Sequence, residues 1–165
     1  MSTKENVDIT IPSPIQRVLD KTRELQKEIK EVGQGSIKEM FEAIFKQAPA
    51  VLAVKWTQYT PHFNDGEPCV FNVNEPEVQF AEGTFLAKAH EEGRSYPEQD
   101  EYADGEEFYD KWTFRVQQKT VADLINEVYT VFQEIDQVMQ AVFGDGVQVT
   151  VTRDGDVEID EYDHD

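Results

Sequence analysis

Four potential metal ligands, His62, Asp65, Glu67 and Cys69, fall within eight residues. Zinc accepts imidazole, thiolate and carboxylate donors, so this is the first constellation to weigh. No CxxC or HExxH accompanies it, and Asn64-Asp65-Gly66 is turn chemistry in its own right. A hairpin loop beside a half-buried cysteine explains the same residues. Asp154, Asp156, Glu158, Asp160 and Asp163 form a second acidic crowd. Crowded carboxylates bind calcium, but the spacing and glycine of an EF-hand loop are missing. On a strand, Asp154, Asp156, Glu158 and Asp160 share one face, opposite Val157 and Ile159. That is a solvated face which also discourages edge-to-edge aggregation. Ser13, Ser36 and Ser95 lack a GxSxG setting, and His62, His90 and His164 are scattered. Neither a Walker A loop nor a GxGxxG is present. No catalytic residue and no cofactor is therefore assigned.

A third group mixes acids with aromatic rings: Asp100, Glu101, Tyr102, Asp104, Glu106, Glu107 and Tyr109, with Tyr96, Phe108 and Trp112 nearby. Carboxylates spaced by a scaffold imitate phosphates, and aromatic side chains anchor interfaces. These residues are the candidate surface for a protein partner. An acidic loop beside ordinary core aromatics is the plainer reading of the same residues.

The charge distribution supports the partner reading. The chain has 165 residues and a net charge of −19. Residues 1–60 hold 9 basic and 8 acidic residues, residues 61–110 hold 2 and 14, and residues 111–165 hold 4 and 12. Such a field repels phosphate backbones and anionic lipid, which disfavours direct nucleic-acid binding and membrane adsorption. It attracts a basic partner or a cation, although solubility alone also accounts for an acidic surface. A hydrophobic fraction of 39% allows a real core. The single cysteine excludes an internal disulfide, no apolar run reaches the ~20 residues of a membrane span, and the N-terminal residues lack a secretory h-region. A cytoplasmic location is expected.

The elements that must position these groups follow from periodicity. Residues 1–12 read as a flexible arm. Ser13-Pro14 starts a helix with apolar residues at Ile15, Val18, Leu25, Ile29 and Val32, and Thr22 fills the gap. Alternating steps of three and four make a coiled-coil seam. Gly33-Gln34-Gly35 is expected to end this helix. Ser36 and Glu39 form a capping box for a second helix that Pro49 closes by Lys46 or Gln47. Val51 to Tyr59 reads as a strand and Cys69 to Val73 as its hairpin partner, with Val78 to Phe80 as a short continuation. Residues 82–107 read as an acidic loop. Phe108 to Val116 alternate as a half-buried strand. Thr120 caps a long helix reaching Phe143, stopped by Gly144. Val147 to Ile159 form a hairpin about Asp154-Gly155.

The predicted fold is α+β: an antiparallel sheet with hairpins packed against long amphipathic helices, in one domain over residues 13–162, with a frayed tail at 163–165. The helix seams pair either with each other or between two copies of the chain. The stretch Val54-Lys55-Trp56-Thr57-Gln58-Tyr59-Thr60-Pro61-His62-Phe63-Asn64-Asp65-Gly66-Glu67-Pro68-Cys69-Val70-Phe71 resembles a segment of uncharacterised tailed-phage proteins. The resemblance covers about a tenth of the chain and carries over no functional residue. It implies an infected cell as the setting and host cytoplasm as the location. The functional expectation is a non-enzymatic acidic protein engaging a basic host protein, in its sharpest form a nucleic-acid mimic that inhibits a nucleic-acid-binding protein. The alternatives are a structural protein assembling through its helix seams, and a metal-dependent enzyme or small-ligand binder using His62, Asp65, Glu67 and Cys69.

Overall fold

A computed structural model describes residues 13–62, 66, 69–88 and 100–163. The expected arm at 1–12, most of the turn at 63–68, the centre of the acidic segment at 89–99 and the last two residues lie outside the described residues.

The fold is α+β with antiparallel pairing throughout the described sheets. Helix α1 spans Ser13–Gln47 and strand β1 spans Val51–Tyr59. Three short strands follow: β2 (Asn72–Val73), β3 (Glu77–Phe80) and β4 (Phe85–Ala87). Then come β5 (Glu101–Tyr102) and β6 (Phe108–Tyr109), and helices α2 (Lys111–Phe114), α3 (Lys119–Glu134) and α4 (Asp136–Phe143). A closing hairpin is made of β7 (Val147–Thr152) and β8 (Val157–Glu161). The main sheet runs β6-β3-β1-β7-β8, and β2 continues the edge of β1 beyond β3. Strands β4 and β5 form a separate pair.

Strand β1 is central because its alternation serves two different faces. Val54, Trp56 and Gln58 are buried, while Lys55, Thr57 and Tyr59 are half-exposed. The Trp56 ring stacks on Phe41 of α1 at 5.7 Å, tilts against Phe132 of α3 at 4.8 Å and meets Phe143 of α4 edge-on at 5.5 Å. One face of the sheet therefore carries the helices and the core. On the other face Lys55 sits over the Phe108 ring and Tyr59 stacks on Tyr162.

Three sequence expectations need correction. Gly33-Gln34-Gly35 does not break α1, and Ser36 does not cap a second helix; α1 continues through all of them. Gly33 is buried, and a Cβ there would lie 2.7 Å from Cγ2 of Val142 and 3.0 Å from Cγ1 of Val138. The glycine lets α1 dock on α4, and that packing outweighs its poor helix propensity. Residues 108–116 are not one strand. Asp110 Oδ1 accepts a hydrogen bond from the Thr113 backbone N–H and starts α2, turning Phe114 inward against Phe80 and Trp112 outward. The long C-terminal helix divides at Ile135, and its first half begins at Lys119 behind a Gln118 N-cap that makes no side-chain cap bond.

Smaller adjustments follow the same logic. The partner of β1 begins at Asn72 rather than Cys69, and residues 82–107 contain the β4–β5 pair rather than loop alone. The β7–β8 hairpin stands as expected, with Gly155 at φ +94° closing its turn.

The two helical glycines make opposite predictions. Gly33→Ala forces a stiff valine pair to move and should destabilise the protein by about 1–3 kcal/mol. A Cβ on Gly35 would meet nothing within 4 Å. Gly35→Ala should therefore stabilise by up to about 1 kcal/mol through helix propensity alone. Urea midpoints of the two variants check the signs.

Candidate functional site

The acidic segment is built on the β6 edge of the sheet. Asp104 Oδ1 accepts from the backbone N–H groups of Glu106 and Glu107, each at 2.9 Å. Gly105, at φ +84°, lets the chain reverse beside Glu82. The Gln79 side-chain amide donates to the Glu106 carbonyl at 2.9 Å, fixing the turn to β3. Glu106 and Glu107 are thereby held outward and exposed. Tyr102 is 55% exposed, with its ring 5.2 Å from Phe85. Tyr109 pairs with Val78 across the sheet and is half-buried, as is Glu101. Asp100 is exposed.

The seven residues expected at a partner surface thus occupy one continuous stretch, but not with one role. Asp104 closes the turn. Its carboxyl is held below the usual carboxylate range, first by the backbone N–H of Glu107 and then by that of Glu106. The Tyr109 phenol is pushed above its ordinary value, first by burial and then by the Asp104 carboxylate, with Glu107 and Glu101 adding to it. Over the described residues between 75 and 110 there are nine acids and a single lysine, Lys88. Besides Asp104, Glu75 is engaged with Lys111 at 3.0 Å, Glu77 with Lys55 at 4.0 Å, and Asp110 as the α2 cap.

The opposite edge of the sheet is also acidic. Every residue of β8 is exposed, including Glu158, Asp160 and Glu161, and Asp154 and Asp156 flank it. Val157 and Ile159 lie against an apolar cavity of about 270 Å³ shared with Ile37, Phe41 and Val151. Asp154 and Asp156, expected on the strand face with Glu158 and Asp160, lie instead in the turn before β8.

His62 and Cys69 are exposed, and Asp65 and Glu67 lie outside the described residues. Among the described residues no group of three or more His, Cys, Asp or Glu is arranged to hold a metal ion. His62 instead borders an open cleft of about 670 Å³ with Asp145 and Tyr162. Asp145 accepts from the Thr60 backbone N–H at 2.9 Å and from its hydroxyl at 2.6 Å, tying the end of β1 to the α4–β7 turn.

Trp112, named with the aromatic group in the sequence, takes a different setting from the strand expected there, and Arg153 takes a role that the sequence reading did not assign. Trp112 is exposed at 64% and lies under Lys111 and Arg115, with the Arg115 guanidinium 4.7 Å from the ring centre. The signal was Asp110 three residues before Thr113, a helix cap inside an apparent strand. Arg153 donates through Nε to the Val51 carbonyl at 2.8 Å and through its other end to Ala48, closing the end of α1 with a cation. Nothing in its local sequence announces that role.

No protein-family model, curated protein or solved structure matches the chain. No helix among the described residues is long and apolar enough to cross a membrane.

Tyr109 supplies a direct test of the acidic cluster. A group whose folded pKa is raised stabilises the fold below its unfolded value and loses that contribution as pH rises through the folded one. Tyr109 should ionise above the ordinary tyrosine range, and its contribution to stability should be lost as pH rises beyond about 10. Asp104→Asn keeps an acceptor oxygen for the turn and removes the charge. It should move the Tyr109 transition toward the ordinary value in a spectrophotometric phenolate titration.

Proposed function

We propose that this chain is a non-enzymatic binding protein whose acidic β6 edge engages a basic protein partner. The observation that carries the reading is the Asp104 turn, which holds Glu106 and Glu107 outward beside exposed Tyr102. A turn whose main chain is already fixed by the Asp104 carboxylate loses little backbone freedom on binding, so the attraction of Glu106 and Glu107 for a cationic surface is less offset by ordering. An aromatic side chain among them supplies the desolvated contact that charge alone lacks. A surface of this kind suits a partner that otherwise binds nucleic acid, which makes nucleic-acid mimicry the sharpest form of the proposal. The resemblance of residues 54–71 to tailed-phage proteins suggests a host protein as that partner and host cytoplasm as the place of action.

The test is capture from a bacterial lysate at low and high salt, with duplex DNA as competitor. Charge attraction is screened over about 8 Å at physiological ionic strength, so capture should fall as salt rises and DNA should displace the partner. Asp100→Lys, Glu101→Lys, Glu106→Lys and Glu107→Lys combined should weaken binding by at least about tenfold, a change of ~1.4 kcal/mol. Asp104 is left in place because its carboxylate closes the turn. Undiminished capture by this variant, with an unchanged unfolding midpoint, would overturn the proposal.

A further inference from the structure

The first twenty residues of α1 are not part of the body. From Ser13 to Val32 no residue is buried, whereas Gly33, Ile37, Phe41, Ile44 and Phe45 of the same helix are. Ile15, Val18, Leu25, Ile29 and Val32 are between 44% and 63% exposed. They are the same residues whose steps of three and four mark a coiled-coil seam. Thr22, the polar member of the row, donates its hydroxyl to the Val18 carbonyl at 2.8 Å. Its hydrogen-bonding need is met within the helix, which leaves its methyl for packing.

We infer that this arm pairs with the arm of a second copy, and that the two run antiparallel. Three observations choose the occupant and the direction. The first is charge. With Ile15, Thr22 and Ile29 at the a positions and Val18, Leu25 and Val32 at d, the flanking g positions hold Lys21 and Glu28. Neither makes an ion pair with another of the described residues. In an antiparallel pair g faces g, so Lys21 of each copy meets Glu28 of the other, twice by symmetry. In a parallel pair g faces e, and Lys21 and Glu28 meet Gln26 and Gly33, neither of them charged.

The second observation is register. Setting Thr22 against Leu25 of the other copy places Val18 against Ile29 and Ile15 against Val32. The tip of each arm then arrives where the other arm joins its body. An apolar groove of about 390 Å³ lies there, lined by Ile29, Val32, Gly33, Ile37, Ile135 and Val138. Ile15 of the second copy has the chemistry and the position to enter it, so the pairing continues the α1–α4 contact instead of ending at its rim.

The third is the field of the rest of the molecule. Residues 33–165 carry 28 acidic and 9 basic residues, and residues 13–32 carry 4 acidic and 5 basic. Among the described elements the arm is the long one whose charge permits self-association. A parallel pair would hold the two acidic bodies side by side, about 10 Å apart at the helix axes. The antiparallel register separates the two Gly33 positions by about 28 Å along the axis, well beyond the screening length of ~8 Å.

Analytical ultracentrifugation of the full chain tests this. The expected mass is twice 19.0 kDa. Leu25→Asp should give a monomer with an unchanged urea midpoint for the body. Lys21→Glu alone and Glu28→Lys alone each set like charges together and should weaken dimerisation at least tenfold at low salt. The double exchange Lys21→Glu with Glu28→Lys recreates both pairs and should restore the dimer. A monomer at every accessible concentration overturns the inference, and so does a dimer that survives Leu25→Asp. Failure of the double exchange to rescue overturns the antiparallel register. A chain that dimerises only after removal of residues 1–12 overturns it too, by assigning the seam to that segment instead.

Discussion

The buried side-chain amide of Gln58 is the interaction on which the arrangement of sheet and helices depends. It is the only polar residue among the fully buried ones described, and all of its reach is used. Its oxygen accepts from the Trp56 indole at 3.0 Å, and its nitrogen donates to the carbonyls of Met139 at 2.9 Å and Gly144 at 2.7 Å. A primary amide with those partners fixes the central strand against the last turn of α4 in one register, since any slide leaves buried polar atoms unpaired. Apolar contacts around Trp56 supply the larger driving force, but they are non-directional. Gln58 gives them a direction. It also holds the side chain that stacks Phe41, and so settles where α1 lies.

That placement divides α1 into two halves with different duties. From Gly33 onward the helix is a core element, brought close to α4 by the missing Cβ and closed at its end by Arg153. Before Gly33 it is a free helix with a narrow apolar seam and a nearly balanced charge. The width of the stripe records the difference. Ile37, Met40, Phe41, Ile44 and Phe45 form a broad face that fits a body, while the residues before Gly33 form a two-position seam that fits one other helix.

The acidity of the remaining surface follows from where the sheet ends. Strands β6 and β8 end the main run of the sheet, and both are bordered by carboxylates. Charge on an edge prevents further strand addition, which gives these residues a role in the fold itself. The turn between β5 and β6 differs from the β8 edge in being fixed by Asp104 and in following the exposed Tyr102. Two cations beside the β6 edge are drawn into the structure: Lys111 to Glu75 and Asn126, and Lys55 to Glu77 and the Phe108 ring.

By itself the sequence determined the features that are encoded within a few neighbouring residues. The β-branched and aromatic run at 51–59, the Asp154-Gly155 hairpin, the end of α1 before Pro49 and the seam at 15–32 all rest on local periodicity or on the backbone limits of proline and glycine. The acidic stretch 100–109 was legible for the same reason, as composition. Tertiary structure alone decided which signals would count. Gly33-Gln34-Gly35 looks like a helix end until Val138 and Val142 lie against it, and Trp112 looks like a core residue until Asp110 turns the chain. Gln58 reaches partners 81 and 86 residues away, and Arg153 reaches Ala48 across 105. Contacts over such separations leave no periodic trace in the chain, because they are set by how whole elements pack.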